Sequence, residues 1–161
     1  MGICETLDRR KNVTLAICGI VIVAAVIIIF AESRSASLQK IDRAFYSDDD
    51  GQTYFVDSVD KLFPFDHNGK QAYRAYVFKC GDGTTFVGYL ARYTDSAKSR
   101  LQELMARPYN EVAQQIADAE SAGTEVKKPG DSTWYPQTSP RAAEILLPKS
   151  PKGGPVEGVI P

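Results

Sequence analysis

Histidine occurs once and cysteine three times, too few for the commonest metal and disulfide chemistry. A zinc site needs three or four nitrogen or sulfur ligands. His67 has only Cys80 as company beyond residue 31, which excludes such a site within one copy. Charge of one sign is equally scarce: 19 Lys+Arg stand against 20 Asp+Glu, with a pI near 5.9. No global field then steers the chain to nucleic acid, which is excluded as a partner. The G-x-S-x-G pattern of an exposed nucleophile is missing, and no internal repeat of useful length occurs. The sequence therefore assigns no catalytic residue, no cofactor-binding residue and no metal ligand, and an enzyme of unknown class is left only as an alternative.

Apolar residues are not scarce but unevenly placed. Val13 to Phe30, VTLAICGIVIVAAVIIIF, carries no charge, and Thr14 is its one strong hydrogen-bonding side chain. Eighteen residues as a helix rise roughly 27 Å, and Asn12 and Ala31 extend this toward the roughly 30 Å hydrocarbon core. Twelve of the eighteen are Val, Ile, Leu or Phe, worth about −4 to −7 kcal/mol for insertion. A buried core helix would show a polar edge. A cleaved signal peptide, with Ala31-Glu32-Ser33 or Ser35-Ala36-Ser37 as the cleavage site, has a shorter apolar region. Met1-Gly2-Ile3-Cys4-Glu5-Thr6 matches the short myristoylation pattern, which matters only in a eukaryotic cytosol. Leu15-Ala16-Ile17-Cys18 lacks the small residue of a lipoprotein box, and its apolar stretch follows the cysteine.

Arg9-Arg10-Lys11 abut the run on one side and Arg34 is the close cation on the other, which orients the N-terminus to the cytoplasm. The expected organisation is a cytoplasmic segment at 1–12, a transmembrane helix at 13–31, a stalk at 32–44, an extracytoplasmic domain at 45–146 and a flexible tail at 147–161. Such a chain is a single-pass protein of the cytoplasmic (inner) membrane with its C-terminal domain periplasmic or extracellular. Its partners are the lipid bilayer, through 13–31, and a protein of the cell envelope. Cys4 and Cys18 then lie in the cytosol and the membrane, so no disulfide joins either to Cys80.

The domain is predicted to be α+β: a small antiparallel sheet of hairpins packed with a helical hairpin. Residues 43–47 and 52–56 are strand-like around the turn residues Asp50-Gly51. The strongest strand signal is 69–94, two alternating runs around Gly81-Asp82-Gly83. Phe86, Gly88 and Leu90 are expected on one face and Val87, Tyr89 and Ala91 on the other. Both faces are apolar, so helices should cover one and loops part of the other. Thr94 or Asp95 caps a helix with Ala97, Leu101, Leu104 and Met105 on one stripe, ended by Pro108. Tyr109, Val112, Ala113, Ile116 and Ala117 make a second stripe, with Gly123 as its stop. A third hairpin pairs 124–127 with 132–135 through Lys128-Pro129-Gly130-Asp131, a type II turn. Ser139-Pro140-Arg141 opens a short helix through Leu146, and from Leu147 the chain is too rich in Pro and Gly to pack.

Four features invite a functional reading. Asp48-Asp49-Asp50-Gly51 resembles an ion loop, but an EF-hand register with Gly51 sixth puts Tyr46 first, and one with Gly69 sixth puts Pro64 there. The expectation is a hairpin tip, with Asp48 and Asp50 converging on one side and Asp49 pointing away. It depends on Gly51, so Gly51→Val should destabilise it and Asn at 48 and 50 should not. His67 reads as a solvated turn residue. Cys80 reads as buried beside Phe78, with pairing between chains as the alternative, and Trp134 reads as core in preference to a binding platform.

The basic flank, N-terminal apolar helix and β-rich domain resemble type IV pilins and pseudopilins, which implies an assembly subunit. Asn12 to Ile17 lacks the glycine before the cut and the glutamate after it that the processing motif needs. A closer resemblance lies in TYFVD…FPFDHNGKQAYRAYVFKCGDGTTFVGYLARYT and EVKKPGDSTWYP…AAEI. These stretches resemble small single-anchor membrane proteins of planctomycete bacteria over most of 45–147. That resemblance implies a location and no established activity, so it transfers no site.

Overall fold

A computed structural model describes residues 42–151 and 153–161. The expected cytoplasmic segment, the 13–31 helix and most of the stalk lie outside the described residues. Contacts divide the chain into Met1–Lys40 and Ile41–Pro161, and the fold below is that of the second unit. No helix among the described residues is long and apolar enough to cross a membrane.

The described chain is α+β, with an antiparallel sheet. In chain order it forms β1 (Arg43–Ser47), β2 (Phe55–Ser58), β3 (Phe65–His67), β4 (Lys70–Cys80) and β5 (Thr85–Tyr93). There follow α1 (Asp95–Met105), α2 (Tyr109–Gly123), β6 (Thr124–Lys127), β7 (Tyr135–Pro136), α3 (Pro140–Ile145) and β8 (Val156–Gly158). The strand order is β2-β1-β4-β5-β6-β7, and β3 and β8 also pair with β4. The central strand is thus β4, the longest element of the apolar alternation seen in the sequence.

Alternation along β5 is broken at one residue. Tyr76 faces Tyr89 but Val77 faces Val87, so Gly88 is an extra residue bulged out of the β4–β5 ladder. Val87 therefore joins Leu90, Ala75 and Val77 in one cluster, and Phe86 and Tyr89 lie against Phe78. The expected grouping of Phe86 with Leu90 is corrected by this bulge. Glycine is required there because a Cβ would stand 2.6 Å from the Phe78 ring and 2.8 Å from Pro148.

Each face of the sheet has its own core. Ala44, Tyr46, Ala91, Tyr93 and Val126 pack against Ala97 and Leu101 of α1 and Ala142 and Ile145 of α3. On the other face Ala75, Val77, Val87 and Leu90 are covered by Phe45, Tyr73, Trp134 and Val159. One face is thus helix-covered, and on the other Trp134 and Val159, from outside the strands, pack beside Phe45 and Tyr73 of the sheet itself.

Local signals and their outcomes differ by element. Thr94 caps α1, its Oγ1 accepting the Ala97 N–H, and Ser139 caps α3 in the same way at Ala142. Asp131 N–H donates to Lys128 O at 3.1 Å with Gly130 at φ +85°, the geometry of a type II turn. The strand after that turn is later than expected, pairing Tyr135 with Val126. The second strand of the first hairpin is also later, at 55–58 instead of 52–56.

Gly123 does not end α2 by turning left-handed. It is the last helical residue, and Thr94 N–H donates to its carbonyl at 2.9 Å. A Cβ on it would lie 2.0 Å from the Ala97 Cβ, so glycine is there to let α1 and α2 meet. Met105 and Tyr109, expected on buried stripes, are 48% and 72% exposed, because they flank the 106–108 corner where the helices part.

The tail from Leu147 was expected to be too rich in Pro and Gly to pack, and it instead supplies β8. Phe78, Lys79 and Cys80 pair with Gly158, Glu157 and Val156, and Val159 N–H donates to Val77 O at 2.9 Å. The reason is local: Val156-Glu157-Gly158-Val159 contains no proline, and β4 offers it an edge.

Candidate functional site

The acidic turn is built from Ser47 outward. Ser47 is buried at the end of β1, and its Oγ donates to Asp49 Oδ1 at 2.9 Å and accepts the Gly51 N–H at 2.8 Å. Asp49 also accepts the Thr53 N–H at 2.9 Å and the Thr53 hydroxyl at 2.6 Å. Desolvation opposes its charged form, but these hydrogen bonds win and hold the carboxyl below the usual carboxylate range.

Its neighbours point elsewhere. Asp48 Oδ2 lies 2.8 Å from His67 Nδ1, and the His67 ring stacks on Phe55 with centroids 4.0 Å apart. Asp50 Oδ1 lies 2.6 Å from Lys127 Nζ, and its Oδ2 accepts the Gly130 N–H at 2.9 Å. Lys127 is a buried lysine whose Nζ also donates to Asp131 O and lies 5.2 Å from the Trp134 ring centroid. The expected convergence of Asp48 and Asp50 is corrected: Asp48 turns to the His67 ring and Asp50 to the Lys127 ammonium. Among the described residues, no group of three or more His, Cys, Asp and Glu side chains could hold a metal ion.

His67 is likewise corrected from a solvated turn residue to the last residue of β3. The turn is the next pair, Asn68 at φ 55° and Gly69 at φ +81°. Asn-Gly between strands is the strongest short hairpin signal, and it was available in the sequence. His67 Nε2 lies 3.5 Å from the Asn68 amide, and no hydroxyl is hydrogen-bonded to it among the described residues.

The helix-covered face carries a set of tyrosines. Tyr46 OH donates to Ser58 O at 2.8 Å and accepts from the Arg74 guanidinium at 3.2 Å. Tyr93 OH donates to Glu120 at 3.0 Å and its ring stacks on Phe63. Tyr76 stacks on Tyr89 with centroids 4.3 Å apart. Burial pushes the Tyr89 and Tyr93 phenols well above their usual range, reinforced by Tyr76 at the first and Glu120 at the second. Both are neutral groups that stack, and the Tyr93 hydroxyl donates to Glu120.

Two depressions flank Tyr76. One, of about 300 Å³, is lined by Phe63, Tyr93, Glu120, Ser121 and Gln137. The other, of about 350 Å³, lies among Arg43, Phe45, Arg74, Phe78 and Ile160. Cys80 is buried as expected, its Sγ 3.3 Å from the Ser150 hydroxyl. Trp134 packs 5.1 Å from Tyr73 with the Arg92 guanidinium over its ring at 4.7 Å, while Arg92 Nε donates to Glu125 at 2.8 Å. Compared with known proteins, the chain matches no protein-family model, no curated protein and no solved structure.

Proposed function

We propose that this chain is a single-pass membrane protein that presents an α+β interaction or structural module outside the cytoplasmic membrane, holding a protein of the cell envelope without catalysing a reaction. The observation that carries this reading is the charge-free Val13–Phe30 run behind Arg9-Arg10-Lys11. The domain chemistry supports it, since Asp48, Asp49, Asp50 and His67 are each engaged in joining turns and strands. The resemblance to small single-anchor proteins of planctomycete bacteria points to the same location.

Protease added to spheroplasts should remove the domain and leave an N-terminal anchor fragment in the membrane. A C-terminal fragment protected from protease would overturn the topology, and a mature N-terminus near Arg34 would overturn the anchor. Pull-down from gently solubilised membranes should recover an envelope protein at constant stoichiometry.

A further inference from the structure

The C-terminal strand β8 occupies the edge of the central strand through a short contact, with Val159 as its one side chain on the second core. Three residue pairs and the Val159 N–H bond join it to β4. Of its side chains, Val156 and Val159 are half-buried, Glu157 and Gly158 are exposed, and Ile160 is 64% exposed. The chain reaches it through Gly153 and Gly154 at φ +80° and +90°, and a Cβ at either would meet nothing within 4 Å. The second depression beside Tyr76 runs along this same stretch and leaves space around Phe78 and Ile160.

We propose that the β4 edge at Val77 to Cys80 is a strand-accepting surface, and that residues 155–161 of a second copy of this chain are its occupant. The complementary segment is already known, because the chain carries it in register. Exchange between copies remakes every bond that opening breaks, so the linker decides between the closed and the exchanged forms. Residues 147–154 span at most about 28 Å when extended, enough to release the strand without disturbing α3 once Pro148 leaves Gly88 and Ser150 leaves Cys80. The inference does not depend on the membrane reading.

The test uses the full chain purified in mild detergent, with residues 155–161 deleted, and a fluorescent synthetic peptide of residues 155–161. The peptide should bind saturably, and a Val159→Pro peptide, lacking the N–H that reaches Val77, should bind about tenfold more weakly. If the deleted chain loses its near-ultraviolet circular dichroism, the same peptide is offered to the intact chain carrying Val159→Pro, whose own strand is weakened. Removing Gly153 and Gly154 should convert the intact chain to a dimer by light scattering, and deleting 155–161 as well should return it to the parent mass. No peptide binding in either format would overturn the strand-accepting edge. Peptide binding with a hinge-shortened chain that stays at the parent mass would overturn the second copy as occupant and leave the edge to a foreign strand.

Discussion

Replacing Asp50 by asparagine removes the charge partner of Lys127, a lysine whose side chain is only 11% exposed. Asp50 itself is partly solvated, so the expected loss is about 1–2 kcal/mol, below that of a fully buried pair. Thermal melts should fall by several degrees for Asp50→Asn and by less for Asp48→Asn, whose partner His67 retains its stack on Phe55. This reverses the expectation that both substitutions are silent. Gly51→Val should also melt early, by about 1–3 kcal/mol, because φ is +83° and a Cβ would lie 2.9 Å from Pro129 Cγ. Asp49 makes the acid limb distinctive. Its carboxyl titrates below the ordinary 3.8, so its contribution is present above that value and is lost as the pH falls through the lowered one. Asp49→Asn should flatten the dependence of melting temperature on pH below about 4, and an unchanged acid limb would count against the Thr53 and Ser47 bonds. From the residues alone the glycine requirement was legible. The separate partners of three adjacent aspartates were not, because Lys127 and His67 are distant in sequence.

The element scale is governed by where helices and strands are forced close. Gly123→Ala puts a methyl group into the Ala97 side chain, and α1 and α2 must part at some 1–3 kcal/mol. Ala97→Gly gives that space back at about 1 kcal/mol of helix propensity. Denaturant melts of both single variants and the double should therefore show a favourable coupling, and strict additivity would mean that the helices do not meet there. Caps and turns at this scale were written in local chemistry: Thr94, Ser139 and Pro129-Gly130 all act where their types predict. Gly88 within an alternating strand was itself a local mark of a bulge, but the Phe78 and Pro148 contacts that make it obligatory come from outside that run.

Across the whole molecule, stability should grade outward from β4. Native-state hydrogen exchange should show slow amides in the β4–β5 ladder and much faster exchange at Val159, whose bond opens when β8 lifts without global unfolding. Equal protection at the two sites would make the tail an integral strand of the core.

The amino-acid sequence by itself determined the α+β composition of the described part and most of its helix and turn boundaries, because these follow from runs of a few residues and their backbone preferences. Only the tertiary structure decided which side chain each carboxylate meets, why Gly88 and Gly123 must be glycine, and that a proline- and glycine-rich tail closes the edge of the central strand. Those outcomes depend on atoms brought together from distant positions, and local preference carries no record of which neighbours the fold will supply.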